Sequence, residues 1–151
     1  MLEQLLADIK IYLHITWVDA NTDIKLNGMI SRGMARLRTI AGAPLDFTVE
    51  DTPRALLFDY VRYANSQALE MWEKNFASEL RDLHDETQVN AEIALEAEAK
   101  LAVTNVETSL LQTDYDIAIE LVNKLTEGTV KTLLLERLAT VKEAIDAAVI
   151  A

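Results

Sequence analysis

The amino-acid sequence predicts an all-α protein. Half of its 151 residues are hydrophobic, and they recur almost throughout at the three- and four-residue spacing of amphipathic helices. Glycine and proline are scarce, with four and two copies, so few positions interrupt a helix. Strand-like alternation of apolar and polar residues hardly occurs. We expect an N-terminal domain of about three helices, the third of them long, followed by a small three-helix bundle.

The first two helices are predicted from their apolar faces and from the residues that can cap them. A turn at the sequence TWVDAN separates them, and Asp19, Asn21 or Thr22 can accept hydrogen bonds as the N-cap of the second helix. Gly42 is well placed to end that helix. The first helix covers about 2–14 and buries Leu2, Leu5, Leu6, Ile9 and Leu13; the second buries Ile24, Ile30, Met34, Leu37 and Ile40.

The third helix is expected to be long and unusually apolar. Residues 43–51 precede it as the longest stretch without helical character. Thr52 then serves as the N-cap, and Pro53 occupies the first turn. A break, if there is one, is expected near Asn75. The first half buries Leu56, Leu57, Tyr60, Val61, Ala64, Ala68 and Leu69, and the second half shows Trp72, Phe76, Leu80 and Leu83 at helical steps.

A change in composition near residues 84–88 predicts a domain boundary. Aromatic residues and arginine become rare beyond it, while alanine and glutamate become common. We therefore predict one domain over 1–86 and an appended bundle over 87–151. Short loops in the second part favour antiparallel neighbours. Its three helices are expected over about 88–111, after the cap Thr113–Asp114, and after Gly128–Thr129.

The net charge argues against a nucleic-acid partner, and the hydrophobic pattern and the N-terminal residues argue against membrane association and a signal peptide. Residues 1–87 hold 9 basic and 14 acidic residues (net −5), and residues 88–151 hold 5 and 11 (net −6). Such a surface repels phosphate backbones, so we expect no measurable affinity for duplex DNA at physiological salt. We expect no membrane association and no signal peptide, because no apolar run is long enough to span a bilayer and the first residues lack a basic start. The absence of cysteine fits an intracellular origin.

No catalytic, cofactor or metal site is predicted. His14 and His84 each stand at an expected helix end, without a second histidine or a cysteine at metal-ligand spacing. No Ser-His-Asp set and no glycine-rich phosphate loop can be assembled. The acidic residues that could share a helix face are scattered among alanine and lysine, which favours a solvated surface over a Mg²⁺ site. They are Glu70, Glu73 and Asp82, or Glu92, Glu96 and Glu107.

Two stripes of side chains are candidate contacts with other protein chains. Arg32 and Arg36 share one side of the second helix with Lys25, and a basic stripe on an acidic chain suits an acidic neighbour such as a second copy. The alternative is a solvated face with local ion pairs. The candidate apolar contact is the late stripe of the third helix, for which ordinary core is the alternative; it comprises Trp72, Phe76, Leu80 and Leu83.

Two glycines within the second helix predict the close approach of another helix. Gly28 and Gly33 each cost about 1 kcal/mol relative to alanine in a helix interior. The candidates for the approaching residues are Ala64 and Ala68.

The first half of the chain resembles the head–tail connector (adaptor) proteins of tailed phages that infect Gram-positive bacteria. The similarity covers about Leu2 to Leu83 and lies in the order of several segments. These are K-x-Y-L-x-I-T-W from Lys10 to Trp17, the Ala41–Gly42 stop, LLFDY-x-RY from Leu56 to Tyr63, and F-x-x-E-L from Phe76 to Leu80. The resemblance implies an all-α fold without a catalytic site.

The family also implies a role and a location. Its members form rings, commonly of twelve copies, that dock on the portal protein and present a surface to the next neck, stopper or tail protein. DNA passes through such a ring without specific binding. The expected location is the neck of the virion, and the host cytoplasm during assembly. Residues 87–151 depart from the family and resemble a small three-helix module of some Gram-positive surface and secreted proteins.

Two other classes of function stay open at the level of sequence. An all-α metal-dependent nucleotide hydrolase would bind Mg²⁺ and turn over nucleotides. A small helical regulator or scaffold would form a stable dimer and bind one partner helix.

Overall fold

The computed structural model describes residues 2–150, and the side chains of residues 2–148. These residues form seven helices and no strand, which confirms the all-α prediction. No helix among them is both long enough and apolar enough to cross a membrane. The helices are α1 (Leu2–Tyr12), α2 (Ala20–Ala41), α3 (Thr52–Asn65), α4 (Leu69–Asn75), α5 (Ala77–Ser109), α6 (Gln112–Lys124) and α7 (Thr129–Ile150).

Contacts within the chain group it into two compact units. Unit 1 ends at Gln88 and unit 2 begins at Val89, so the division falls inside α5. The prediction of a separate helix starting near residue 88 is wrong, because α5 runs without interruption through this stretch. The change in composition introduces neither glycine nor proline there, and alanine and glutamate favour helix. A shift in composition alone therefore does not end a helix.

The prediction of a single long third helix is also wrong, because the structure divides this segment into α3, α4 and the start of α5. α3 ends at Asn65, and Gln67 follows with a left-handed backbone (φ 56°). The Ala68 N–H donates to the Tyr63 carbonyl (3.0 Å), and the Gln67 N–H donates to the Ala64 carbonyl (3.3 Å). This pair of hydrogen bonds is the Schellman motif, which usually carries glycine at the left-handed position. The expected break near Asn75 occurs at Phe76, between α4 and α5.

α1 ends in the same way, two residues before the predicted end. His14 takes the left-handed conformation (φ 57°) just beyond the helix. The Ile15 N–H donates to the Lys10 carbonyl (2.8 Å), and the His14 N–H donates to the Ile11 carbonyl (3.0 Å). These bonds pair carbonyls that the end of the helix would otherwise leave open.

Polar caps set the ends of α2 and the start of α3. Asp19 is the N-cap of α2 among the three candidates, and its carboxylate accepts from the Thr22 backbone N–H (2.8 Å). Gly42 ends α2 with φ 69°, as predicted. The predicted cap of α3 is wrong by one residue: Thr52 is already helical, and Asp51 is the N-cap, its carboxylate accepting from the Arg54 N–H (3.4 Å).

Unit 1 has one hydrophobic core, built by α1 to α4 and the first turns of α5. Ile24, Leu2 and Leu69 were expected inside but are 70%, 38% and 36% exposed. Leu26 and Met29 fill the α2 face in place of Ile24, since they lie on the same side as Ile30 and Gly33. The buried residues are Leu5, Ile9, Leu26, Met29, Ile30, Met34, Leu37, Ala41, Phe47, Leu56, Leu57, Tyr60, Val61, Trp72, Leu80 and Leu83.

The two glycines of α2 differ in their surroundings. A Cβ at Gly33 would lie 2.7 Å from atoms of both Leu57 and Tyr60, so α3 approaches α2 closely there, through these residues and not through Ala64 or Ala68. A Cβ at Gly28 would meet only the end of the Arg32 side chain at 3.4 Å, an ordinary contact. The close approach predicted at Gly33 is confirmed, and the one predicted at Gly28 is wrong.

We therefore expect opposite effects from the same substitution at these glycines. Gly33→Ala is expected to lower the free energy of unfolding by about 1–3 kcal/mol, because the new methyl group overpacks the α2–α3 contact. Gly28→Ala serves as the matched control and is expected to raise it by up to about 1 kcal/mol, through helix propensity. Urea denaturation of both variants measures the difference. Equal effects at the two positions would contradict the close approach at Gly33.

Unit 2 has its own core between the second half of α5, α6 and α7. α6 begins at Gln112 with Leu111 in the N-cap position, so the predicted Thr113–Asp114 cap is wrong; the Asp114 carboxylate instead accepts from Ser109 Oγ (2.5 Å). α7 begins at Thr129, one residue earlier than predicted, because Thr129 is already helical. The buried residues are Ala99, Val103, Val106, Ala118, Val122, Leu125, Leu134, Leu138, Val141 and Ile145.

An ion pair joins α5 to α7 on the surface of unit 2. Arg137 donates from Nε to Glu107 Oε1 (2.8 Å) and from Nη2 to Oε2 (2.6 Å), a bidentate geometry. The hydrogen bond from Arg137 lowers the pKa of the Glu107 carboxyl below its usual value. It also raises the pKa of Arg137.

This pair predicts a loss of stability in acid. A carboxyl whose pKa is lower in the folded state stabilises the fold above its unfolded pKa, about 4.5, and that contribution disappears as the pH falls through the folded pKa. We expect Glu107→Gln to reduce the difference in unfolding free energy between pH 7 and about pH 3 by less than about 1 kcal/mol, since the pair is partly exposed. Thermal unfolding at both pH values measures it. Exposed Glu98→Gln on the same helix is the control, and an equal change there would contradict the assignment to the ion pair.

Candidate functional site

The apolar stripe predicted in the second half of the third helix is mostly buried within unit 1. Trp72, Leu80 and Leu83 belong to the core and are 0%, 7% and 4% exposed. Phe76 is half-buried and packs edge-on against Tyr63, with ring centroids 6.0 Å apart. In this conformation the stripe is not open to a second chain, except at Phe76. The prediction that it contacts a partner stays a prediction, and the buried side chains have an internal role.

The basic stripe of α2 is partly engaged within the chain. Arg36 Nη2 lies 2.7 Å from Glu73 Oε1, and Arg36 Nε donates to the same oxygen (2.8 Å). Lys25 Nζ donates to Asn65 Oδ1 (3.2 Å). Arg32 is exposed, and the described residues provide it with no hydrogen bond and no ion pair. Exposed pairs such as Arg36–Glu73 contribute about 0–1 kcal/mol, so these arginines remain available to another partner.

An open cleft of about 420 Å³ lies between α2 and the segment from Glu73 to His84; we call it the α2–α5 cleft. Three apolar residues, three basic residues and one carboxylate line it. No hydrogen bond or ion pair to Arg81 is found within the described part of the chain. The lining residues are Arg36, Ile40, Glu73, Ala77, Leu80, Arg81 and His84.

His84 lies inside α5, so its expected place at a helix end is wrong. Its Nδ1 is 2.8 Å from the Ile40 carbonyl oxygen; a carbonyl only accepts, so Nδ1 carries the hydrogen. Thr87 Oγ1 and Gln88 Nε2 both donate to the Ala41 carbonyl, at 2.8 and 3.0 Å. These three polar residues of α5 therefore pair the open carbonyls at the C-terminus of α2, and they leave His84 Nε2 free at the cleft.

A second surface lies at the corner between α1 and α2. Four large hydrophobic side chains are strongly exposed there: Ile11 (74%), Trp17 (56%), Val18 (93%) and Ile24 (70%). An ion pair between Lys10 Nζ and Asp23 Oδ1 (2.7 Å) joins the two helices, and Ile11 and Ile24 directly follow these residues in sequence. We call these four residues the apolar corner. These apolar residues stand on two helices and on the turn that joins them, which makes them candidates for a protein-contact site.

The acidic residues of the alternative Mg²⁺ site have local partners or lie apart. Glu73 pairs with Arg36, Glu96 with Lys100 and Glu107 with Arg137. Glu92 accepts from Thr126 (2.8 Å), while Glu70 and Asp82 are exposed. Across residues 2–150, no three histidine, cysteine, aspartate or glutamate side chains come together in a group that could hold a metal ion.

Sequence reasoning missed Arg81 and the apolar corner. Arg81 and His84 are spaced i, i+3, which places them on one face of a helix, but the expected helix end near His84 hid the pattern. Trp17 and Val18 stood in a predicted turn. Large apolar residues in a polar turn were a usable signal of an exposed contact surface.

Comparison with known proteins identifies no relative: no protein-family model, no curated protein and no solved structure matches the chain.

Proposed function

We propose that this chain is a virion structural protein, a head–tail connector that forms a ring, docks on the portal protein and links the capsid to the neck or tail. Unit 1 is the connector domain in this proposal, and unit 2 is an appended three-helix bundle. The acidic chain suits such a ring, because duplex DNA passes most easily where the wall does not bind its phosphates.

The apolar corner carries the proposal. It includes the end of the K-x-Y-L-x-I-T-W segment, one of the segments on which the resemblance to connectors rests. Lys10 and Tyr12 of this segment have internal partners, Asp23 and Asp59. Trp17 leaves more than half of its side chain in solvent. Tryptophan is enriched among the residues that dominate binding energy at protein interfaces, so the corner is suited to contact another chain.

Electron microscopy and mass photometry of the purified chain, alone and mixed with the portal protein of the same phage, test the proposal. We expect rings that bind the portal. Changing Trp17 and Val18 together to serine is expected to weaken this assembly by at least about tenfold in affinity, since central apolar contacts are lost. Ile117→Ser, at an exposed position of α6, is the control and is expected to assemble normally.

The same preparation separates the other classes of function. A chain that stays a stable dimer and ignores the portal would contradict the connector proposal and favour a regulator or scaffold. Mg²⁺-dependent nucleotide turnover that survives rigorous purification would favour the hydrolase.

A further inference from the structure

We propose that residues 66–68 are a hinge, and that two copies of the chain exchange everything from residue 69 onward when this hinge straightens. α3 and α4 then form one continuous helix in each copy. The core surface that α4 and α5 leave is filled by the same segment of the other copy. The inference concerns the chain by itself and does not rest on the proposed function.

The backbone of the hinge is the first observation. Gln67 takes a left-handed conformation (φ 56°), which residues other than glycine rarely adopt. Its side chain is exposed and makes no hydrogen bond to the described residues. The backbone hydrogen bonds of the Schellman motif hold this residue in place, and no polar contact of its own side chain supports it.

The start of α4 is the second observation. Ala68 occupies the N-cap position, and no side chain accepts a hydrogen bond there. N-caps normally carry Ser, Thr, Asp or Asn, whose oxygen pairs an N–H of the first turn. In a straight helix the N–H groups of residues 69 and 70 donate instead to the carbonyls four residues earlier. Straightening therefore removes the positive φ and pairs backbone donors that lack a side-chain cap.

The sequence permits the straight form. Between Pro53 and Gly128 the chain contains neither glycine nor proline, and the glutamine and alanine of the hinge favour helix. α3 and α4 joined through the hinge cover residues 52–75, a helix about 36 Å long.

The break at Phe76 differs from the hinge in its backbone. The φ of Phe76 stays negative (−113°), and helical hydrogen bonds continue across it. The Phe76 N–H donates to the Trp72 carbonyl (3.0 Å), and the Leu80 N–H donates to the Phe76 carbonyl (2.9 Å). The left-handed turn is at residues 66–68 alone between α3 and α5, so the hinge is placed there.

The contacts between the two sides of the hinge identify the partner. α1 to α3 lie on one side, and α4 and α5 on the other, whose Trp72 is completely buried and packs against Tyr60. A second copy presents the same residues in the same arrangement, so every contact is remade between copies without a new surface. The polar contacts that exchange in this way are Arg36–Glu73, Tyr63–Asn75, His84–Ile40, Thr87–Ala41 and Gln88–Ala41.

The exchanged dimer therefore differs from two separate copies in only two respects. The straight hinge favours the dimer, and the loss of translational and rotational freedom opposes it. The dimer is expected to become more abundant with protein concentration. It is also expected to form slowly, because the segment has to leave the core before it can be exchanged.

Refolding from urea over a range of protein concentrations, followed by size-exclusion chromatography with light scattering, measures the exchange. Gln67→Gly is expected to weaken the dimer by at least about tenfold, because glycine favours the left-handed turn and disfavours the straight helix. Gln67→Ala is expected to dimerise at least as well as the parent chain. The matched control is His14→Gly, at the same left-handed position after α1, which is expected to leave the dimer unchanged because that turn is the same in both forms.

Cross-linking shows which copy lies on each side of the hinge, because the chain contains no cysteine. Arg36 and Glu73 meet across the hinge (2.7 Å) and are partly exposed. The Arg36→Cys chain and the Glu73→Cys chain are refolded together and treated with a short bis-maleimide. We expect a covalent dimer of the two different chains on a denaturing gel. The same chains mixed after folding are the control and are expected to give little of it, since they have not exchanged.

Three results would overturn the hinge: a refolded parent chain that is monomeric at every concentration, a Gln67→Gly chain that dimerises as well as the parent, or equal cross-linking before and after folding. Circular dichroism checks that each variant is folded, and the parent chain carries the first test without any substitution. If Gln67→Gly still forms rings that bind the portal, and no chain exchanges, the hinge is wrong and the connector proposal stands. If the exchanged dimer forms and no chain binds the portal, the connector proposal is wrong and the hinge stands.

Discussion

Arg54→Ala is expected to lower the free energy of unfolding of unit 1 by about 3 kcal/mol, the low end of the cost of removing one partner of a buried ion pair, because Asp8 keeps some access to solvent. Arg54 is only 8% exposed. Its Nη2 donates to Asp8 Oδ2 of α1 (2.6 Å), and its Nη1 donates to the Phe47 carbonyl of the loop before α3 (2.9 Å). The substitution leaves both acceptors without their donor in a part-buried setting. Small domains are stable by about 5–15 kcal/mol, so a large share of the stability depends on this side chain.

Arg62→Ala is the matched control for Arg54→Ala. Arg62 pairs with Asp59 at i, i+3 on the surface of the same helix (2.6 Å), and its side chain is 47% exposed. We expect it to cost less than about 1 kcal/mol. Urea denaturation followed by circular dichroism measures both variants. Similar losses for the two would show that Arg54 does not hold α1 and the 43–51 loop against α3.

Arg54 also shows why part of unit 1 was not predictable from the sequence. Within the motif TPRALLFDY it stands in the first turn of an amphipathic helix, where an arginine is normally solvated. Glu50, four residues before it, is a local but exposed partner, whereas the two partners that bury it, Asp8 and the Phe47 carbonyl, lie 46 and 7 residues away. Burial of a charged residue depends on such distant contacts, and a local pattern does not contain them.

Helix ends were predictable only where the sequence contains a typical capping residue. Asp19 and Gly42 bound α2 as expected, because a side-chain acceptor and a residue that tolerates positive φ are visible in sequence. The ends of α1 and α3 place His14 and Gln67 at positive φ, where glycine is the usual residue. The backbone hydrogen bonds of these Schellman motifs offset the conformational cost, so the sequence contains no signal for them.

The candidate contact residues show a different limit of prediction from the sequence. Trp72, Leu80 and Leu83, predicted on one helix, lie on α4 and α5, and all three belong to the unit 1 core. Helical spacing alone does not say what covers such residues. Trp72, for example, packs against Tyr60 of α3. The converse holds for Ile24, whose spacing suggested burial but which is exposed at the apolar corner.

Trp72→Ala is expected to cost about 3–5 kcal/mol in the isolated chain, the usual range for truncating a fully buried tryptophan. The indole is 0% exposed and meets Tyr60 edge-on, with ring centroids 5.1 Å apart. Trp72→Phe is the matched variant. The buried Nε1–H finds no acceptor among the described residues, and an unpaired buried donor is itself unfavourable by about 1–3 kcal/mol.

Phenylalanine removes that donor while keeping an aromatic ring beside Tyr60, so the gain offsets much of the lost volume. We expect Trp72→Phe to cost less than about 1.5 kcal/mol, the usual limit for a well-tolerated core replacement. Urea denaturation followed at 222 nm compares the two variants without relying on tryptophan fluorescence. If Trp72 acted only as a contact with a partner chain, Trp72→Ala would leave the isolated chain as stable as the parent and weaken assembly alone. A large loss in the isolated chain, mostly recovered by phenylalanine, identifies the residue as core.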